Sequence, residues 1–122
     1  MSTVFADTFY FLGLLNRADE SHARCKRFAA EFHGHLLSTD YVFLEVADGL
    51  AAPNHRVRTA RFLRQLRSSL SVAIIPASES LLSRALELYE SRADKEWSLT
   101  DCTSFVVMQE HGLRGGDWRP AF

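Results

Sequence analysis

The sequence predicts an α/β fold in which helices cover both faces of a short parallel sheet. Three short runs suit buried strands: residues 4–6, residues 35–38 and the β-branched run in SVAIIPAS, which Pro76 closes. Segments whose apolar residues recur at helical spacing lie between these runs. Strands that alternate with helices favour parallel pairing, because each crossover between parallel strands has room for a helix.

Length and composition predict a single domain over residues 1–122. The chain is 47% hydrophobic and 24% charged, as expected for one ordinary core. A net charge of −1 gives no general attraction to nucleic acid, and two cysteines without a CxxC pair argue against a disulfide framework. The apolar start lacks a basic region and no stretch is long enough to span a membrane, so we expect a cytoplasmic protein.

The first strand is followed by an acidic residue, Asp7, and then by a short helix over residues 8–15. An ionised carboxylate among apolar residues needs a compensating partner. A longer helix is predicted over residues 20–32, with Gly34 as its C-cap. Its repeating apolar positions are Ala23, Phe28, Ala29 and Phe32.

A helix running to about residue 50 follows the second strand. Thr39 or Asp40 can cap its start. We expect Tyr41, Leu44 and Ala47 to share its buried face.

Residues 53 and 54 break that helix, and the segment VRTARFLRQLRSSL begins the next one. Its predicted inner face consists of Val57, Ala60, Leu63 and Leu66, which leaves Phe62 toward the outside.

Two helices complete the predicted fold after the third strand. Ser78 or Ser80 opens the first of them, and Gly112 ends the second, which begins near Ser98. The apolar positions of the first are Leu82, Ala85, Leu86 and Tyr89.

Three carboxylates are predicted to meet at one edge of the sheet. Asp7 ends the first strand, Glu45 lies in the helix after the second strand, and Asp101 lies in the first turn of the last long helix. Ligands of open parallel sheets collect at the carboxyl ends of the strands. Three converging carboxylates repel one another unless a cation lies between them, and oxygen ligands suit Mg²⁺ or Mn²⁺.

Three longer motifs surround these acids: DTFYFLGLLN at Asp7, TDYVFLEVADGL around Glu45 and DKEWSLTDCTSFVVMQEHG around Asp101. Over residues 3–113 the chain resembles PIN-domain proteins of the VapC type, the ribonuclease toxins of toxin-antitoxin modules. The resemblance implies a three-layer α/β/α fold and a metal-dependent endoribonuclease that acts on structured RNA such as transfer RNA. It further implies inhibition by a cognate antitoxin, a homodimer, and catalytic and metal-binding roles for Asp7, Glu45 and Asp101.

Structural roles are the alternative for two of these acids. Asp7 is well placed to cap the helix that follows it, and residues 98–101 match the S-x-x-D capping box. Capping and metal binding can coexist. Ser98 and Thr100 flank the site and could contact RNA or a ligand carboxylate, although capping alone would also explain them.

Arginines recur at every third position of the fourth predicted helix, at Arg58, Arg61, Arg64 and Arg67. A solvated face is the commonest meaning of such a run. Arg61 and Arg64 in particular could instead contact RNA phosphates or an acidic antitoxin segment.

The end of the chain departs from the family pattern. Similar proteins continue into a last apolar strand that supplies a fourth acid, whereas this chain continues as LRGGDWRPAF. We therefore expect the last edge strand to be missing or shortened, with Asp117 as the candidate fourth metal ligand. The same departure supports an alternative function: a weak or inactive relative that retains binding to an antitoxin or to RNA.

Overall fold

The computed structural model describes residues 2–114, which contain three strands and six helices. In chain order these are β1 (Thr3–Phe5), α1 (Thr8–Leu15), α2 (His22–Glu31), β2 (His35–Thr39), α3 (Asp40–Gly49), α4 (Pro53–Arg67), β3 (Val72–Ile75), α5 (Glu79–Ser91) and α6 (Leu99–His111).

The three strands form one parallel sheet in the order β1-β2-β3. Val4 pairs with Leu36, and Leu37 pairs with Ala73. In β2 the consecutive residues Leu37, Ser38 and Thr39 are all buried. Because neighbouring residues of a strand point to opposite faces, both faces of the central strand are covered. The α/β fold with a parallel sheet is therefore confirmed.

The edge of β1 that does not pair with β2 contacts the chain again after α6. The backbone N–H of Phe5 donates to the carbonyl oxygen of Arg114 at 3.0 Å. Within residues 2–114 no fourth strand is formed, and most of the segment in which the last edge strand was expected to be missing or shortened lies outside the described residues, so that expectation stays a prediction. Asp117 lies outside the described residues.

The core is centred on aromatic side chains of α1. Phe11 is fully buried, and its ring lies edge-on to Phe43 at 5.9 Å and to Phe62 at 6.1 Å between centroids. Tyr10 makes an edge contact with Phe28 of α2 at 5.8 Å. Burying each large apolar side chain contributes roughly 1.5–3 kcal/mol, so these aromatic contacts tie α1 firmly to α2, α3 and α4.

The buried face of α3 differs from the prediction. Val42, Phe43 and Val46 point into the core, whereas Leu44 is 60% exposed and Ala47 is exposed. The segment YVFLEV is apolar on almost every side of the helix, so helical spacing alone could not predict which side is buried. The packing of α3 against α1, α4 and α6 determines which side is buried.

The predicted faces of α2, α4 and α5 were also wrong in part. Val57 is 71% exposed, and Thr59 and Phe62 face inward. In α2 the buried residue is Cys25, and in α5 it is Leu81 together with the predicted Ala85. The remaining predicted positions that are exposed are Ala23, Ala29, Leu82, Leu86 and Tyr89.

None of the helices in residues 2–114 combines the length and the apolar character needed to cross a membrane.

Candidate active site

Asp7 lies at the turn between β1 and α1, where it is half-buried. Its Oδ1 accepts a hydrogen bond from the backbone N–H of Tyr10 at 3.0 Å, so it is the N-cap of α1, as predicted. A carboxylate in this position satisfies an otherwise unpaired N–H and meets the positive end of the helix dipole. The cap also fixes the direction in which the carboxylate points.

The turn that carries Asp7 is held by a residue that the sequence analysis missed. Ser38 is fully buried, and its Oγ donates to the carbonyl oxygen of Ala6 at 2.8 Å. The backbone N–H of Ala6 donates to the carbonyl oxygen of Leu37 at 2.8 Å. The available signal was a hydroxyl directly after the apolar pair Leu36 and Leu37 in β2.

Asp101 is fixed in the same manner as Asp7. Its Oδ2 accepts from the backbone N–H of Ser98, and the Oγ of Ser98 accepts from the backbone N–H of Asp101, both at 3.0 Å. The predicted capping box at the start of α6 is confirmed. Ser98 is therefore a positioning residue for this carboxylate.

The loop before α6 is anchored by Trp97. Its ring lies 4.8 Å from that of Phe105, and the guanidinium of Arg92 and the ammonium of Lys95 lie over it at 5.2 and 5.7 Å from its centroid. The negative face of an aromatic ring attracts a cation placed over it. These contacts hold the segment that leads into Ser98.

Thr100 is half-buried in the first turn of α6, and its carbonyl oxygen accepts from the hydroxyl of Thr103. A contact between Thr100 and RNA stays a prediction.

Glu45 lies on α3 and is half-exposed, between the inward-facing Phe43 and Val46. The start of α3 is fixed by Thr39, whose Oγ1 accepts from the backbone N–H of Val42 at 3.1 Å. Asp40, the other predicted cap, instead accepts from the guanidinium of Arg67 and from the backbone N–H of Ala77.

The three acids lie on neighbouring elements. Helix α3, which carries Glu45, packs against both α1 and α6, and the N-termini of α1 and α6 carry Asp7 and Asp101. Within residues 2–114, however, no three His, Cys, Asp or Glu side chains are grouped closely enough to hold a metal ion. The three-carboxylate metal site therefore stays a prediction, and Asp117 falls outside the described residues.

The negative charge of Asp7 affects the pKa of a buried thiol beside α1. Burial raises the pKa of the Cys25 thiol to about 11, and the negative charges of Asp19 and Asp7 add to the increase. Burial similarly raises the pKa of Tyr10 to about 12, with a smaller contribution from Cys25. Both side chains are neutral at physiological pH.

Arg61 and Arg64 lie on α4, and both are exposed. They border cavities along α4 that contain neither Asp7 nor Asp101.

Comparisons with known proteins agree with this architecture. A family model described as PIN domain matches residues 4–114. The chain is 28% identical over 113 residues to the 23S rRNA-specific endonuclease VapC20 of Mycobacterium tuberculosis, covering 91% of this chain and 84% of the relative.

Two solved structures resemble this chain in fold. The crystal structure of Mycobacterium tuberculosis VapC20, described as a sarcin-ricin loop cleaving toxin, superposes with a TM-score of 0.81 at 27% identity, covering 96% of this chain and 92% of that one. FitAcB from Neisseria gonorrhoeae superposes with a TM-score of 0.59 at 14% identity, covering 92% and 84% of the two chains, and shares the fold.

Proposed function

The chain belongs to the PIN-domain family, and on that premise we propose that it is a metal-dependent endoribonuclease, the toxin component of a toxin-antitoxin module. The observation that carries the proposal is the similarity to VapC20 along nearly the whole chain, with a TM-score of 0.81. The positions of Asp7, Glu45 and Asp101 on neighbouring elements support it.

The donor set fits a hard divalent cation. Asp7, Glu45 and Asp101 offer only carboxylate oxygens, which suit Mg²⁺ or Mn²⁺ better than a softer metal. Asp117 is the candidate fourth ligand. When bound, the metal would activate a water molecule and stabilise charge on the phosphate oxygens of RNA.

The protein's own residues prepare this site through backbone capping. The hydrogen bonds from Tyr10 and Ser98 hold one oxygen of Asp7 and one of Asp101 in place. We assign to Glu45 the role of orienting or deprotonating the attacking water. Ser98 and Thr100 are the residues we assign to contacts at the edge of the site.

We propose structured RNA as the substrate. Ribosomal RNA is the first candidate, because the similar protein VapC20 is described as an endonuclease specific for 23S rRNA. Transfer RNA is the second. Both are found in the cytoplasm, where we expect the protein to act as a homodimer and to be inhibited by an antitoxin.

Cleavage of RNA by the purified, partner-free protein tests the proposal. The substrates are 23S rRNA, a sarcin-ricin loop oligonucleotide and pooled transfer RNA, each with Mg²⁺ or Mn²⁺. The controls are EDTA, Asp7→Asn and Asp94→Asn, because Asp94 is an exposed loop acid that pairs with Arg92 at a distance of 3.0 Å.

Cleavage that is lost with EDTA and with Asp7→Asn, but kept with Asp94→Asn, would support the proposal, and the substrate that is cut would identify the RNA class. If a folded sample cuts none of the three substrates, the alternative applies: a weak or inactive relative that retains partner binding.

A further inference from the structure

A cavity of about 570 Å³, here called the α5–α6 cavity, lies between the last turn of α5, the loop that follows it and the first turn of α6. Pockets that bind small molecules in proteins have volumes of about 300–1,000 Å³. None of Asp7, Glu45 and Asp101 lines the cavity. Two of its lining residues, Trp97 and Cys102, flank the Ser98–Asp101 capping box. The cavity therefore adjoins the turn that carries Asp101 but is formed by other residues.

Two aromatic side chains line the α5–α6 cavity, and they differ in how they are held. Trp97 is anchored on Phe105. Tyr89 is 51% exposed, and within residues 2–114 no aromatic ring, cation or hydrogen bond engages its side chain. Proteins hold unpaired nucleobases by stacking them on aromatic rings of this kind. Tyr89 thus supplies an available surface for a flat ligand.

Charged groups of both signs line the same cavity without pairing with each other. The cation is Lys95, and the carboxylates are those of Glu90 and Glu96. In the described part of the chain none of these three forms an ion pair, whereas the neighbouring Arg92 is already paired with Asp94. An ammonium group only donates hydrogen bonds and a carboxylate only accepts them. A ligand that satisfies both groups must carry acceptors and donors together.

Guanine has these groups on the edges of one planar ring system. Its O6 and N7 atoms accept hydrogen bonds, and its N2 amino group donates them. Lysine commonly donates to O6 and N7 of guanine. Adenine carries an amino group where guanine has O6, so it would bring a donor toward the ammonium of Lys95. The charges of the cavity therefore suit guanine better than adenine.

We propose that the α5–α6 cavity binds an unpaired guanine base. The base stacks on Tyr89, its O6 and N7 accept from the ammonium of Lys95, and its amino group donates to the carboxylates of Glu90 and Glu96. The base can belong to RNA or to a free guanine nucleotide. The position of the cavity beside the turn of Asp101 points to RNA, with the guanine close to the cleaved phosphodiester, and only this assignment rests on the proposed function.

Trp97 provides a reporter within the wall of the cavity. The chain has two tryptophans, so Trp118→Phe leaves Trp97 as the source of tryptophan fluorescence. In this background the fluorescence is titrated with the 5′-monophosphates of guanosine, inosine and adenosine. Inosine keeps O6 and N7 but lacks the N2 amino group. EDTA is present throughout, so that binding is measured without cleavage.

We expect guanosine monophosphate to change the fluorescence of Trp97 and to bind at least about fivefold more tightly than adenosine monophosphate. Inosine monophosphate should bind with intermediate affinity. Tyr89→Ala should weaken binding of guanosine monophosphate at least about fivefold, because stacking is lost, whereas Tyr89→Phe keeps the ring and should leave binding unchanged.

Variants of the charged residues separate the two edges of the base. Lys95→Ala should reduce the preference for guanosine over adenosine monophosphate, and Glu90→Ala/Glu96→Ala should reduce the preference for guanosine over inosine monophosphate. The matched controls, Lys26→Ala and Glu20→Ala/Glu31→Ala, remove exposed charges outside the cavity and should leave both preferences unchanged. The altered side chains of the cavity are exposed, so circular dichroism melts should show that these variants fold.

The trinucleotide UGU, compared with UAU and with guanosine monophosphate, identifies the source of the base. Tighter binding of UGU than of the mononucleotide would assign the cavity to RNA, and the reverse order would assign it to a free nucleotide. Either of two results would overturn the proposal: equal binding of guanosine and adenosine monophosphates, or binding that Tyr89→Ala leaves unchanged.

Failure of this proposal and failure of the proposed function can be told apart. Selective guanine binding by a protein that cleaves no RNA would keep the pocket and remove the nuclease. RNA cleavage without selective guanine binding would do the reverse.

Discussion

Gly13 of α1 and Cys25 of α2 approach each other so closely that a methyl group on Gly13 would lie 2.6 Å from the Cys25 Sγ. Both residues are buried, and their contact joins the helix that Asp7 caps to its neighbour. The absence of a side chain at position 13 sets the spacing between α1 and α2.

This contact predicts opposite effects of one substitution in two backgrounds. Alanine is favoured over glycine inside a helix by about 1 kcal/mol, but overpacking a core costs about 1–3 kcal/mol. In the unmodified protein, Gly13→Ala should therefore lower the free energy of unfolding. In a Cys25→Ala background the Sγ is absent, and there Gly13→Ala should raise the free energy of unfolding. Urea denaturation of the four proteins measures both effects, and equal effects in the two backgrounds would contradict the proposed clash.

Substitutions at Asp7 should separate activity from stability. Asp7→Asn keeps an oxygen that can accept from the backbone N–H of Tyr10 but removes the charge, so stability should change little. Cleavage should fall by more than about a hundredfold, because a metal ion supplies several kcal/mol of transition-state stabilisation. Asp7→Ala should lose the same activity and also about 1 kcal/mol of stability, because the cap is lost.

Thermal melts and initial rates of RNA cleavage measure these two losses. An Asp7→Asn protein that cleaves RNA at the normal rate would remove Asp7 from the catalytic site and leave it as a helix cap.

The helix caps were predictable from the sequence, and the helix faces were not. The residues of a cap are close in the chain, so Asp7 and the Ser98–Asp101 pair could be recognised from their spacing alone. The inner faces of α3 and α4 depend on contacts between elements that are distant in the chain. Phe62, for example, was expected outside, yet it packs on Phe11. The predicted meeting of the three acids would depend on such distant contacts too.

The buried hydroxyl of Thr59 leads to a prediction about the stability of the protein. Its buried hydroxyl has no partner among the described residues, and leaving such a group unpaired costs about 1–3 kcal/mol. Thr59→Val removes the hydroxyl at nearly constant volume and should raise the free energy of unfolding by about 1 kcal/mol. Thr59→Ser keeps the hydroxyl but loses a methyl group, so it should destabilise the protein by about 0.8 kcal/mol. Chemical denaturation should give these opposite signs, and a destabilised Thr59→Val variant would indicate that the hydroxyl is satisfied in solution.

Alkaline pH should destabilise the fold through buried neutral groups. The pKa of Cys25 rises from 9.0 to about 11 on folding and that of Tyr10 from 10.0 to about 12. Well below pH 9 both groups are protonated in the folded and unfolded states, so neither makes stability depend on pH there. As the pH rises from 9 to 11, the unfolded thiol ionises first, and stability should fall.

Urea midpoints measured between pH 8 and pH 11 should show this loss, and Cys25→Ala should reduce it. An equally steep loss in the variant would assign the effect to other groups.

The parallel sheet and the position of Asp101 have a consequence for synthesis of the chain. A ribosome makes β1 first, but its two neighbours, β2 and Arg114, follow much later, and no two of the strands in residues 2–114 are joined by a hairpin. The third acid of the proposed site arrives only with α6, the last helix of the described part. Any product released before residue 101 therefore lacks an acid of the proposed site and would lack the proposed nuclease activity.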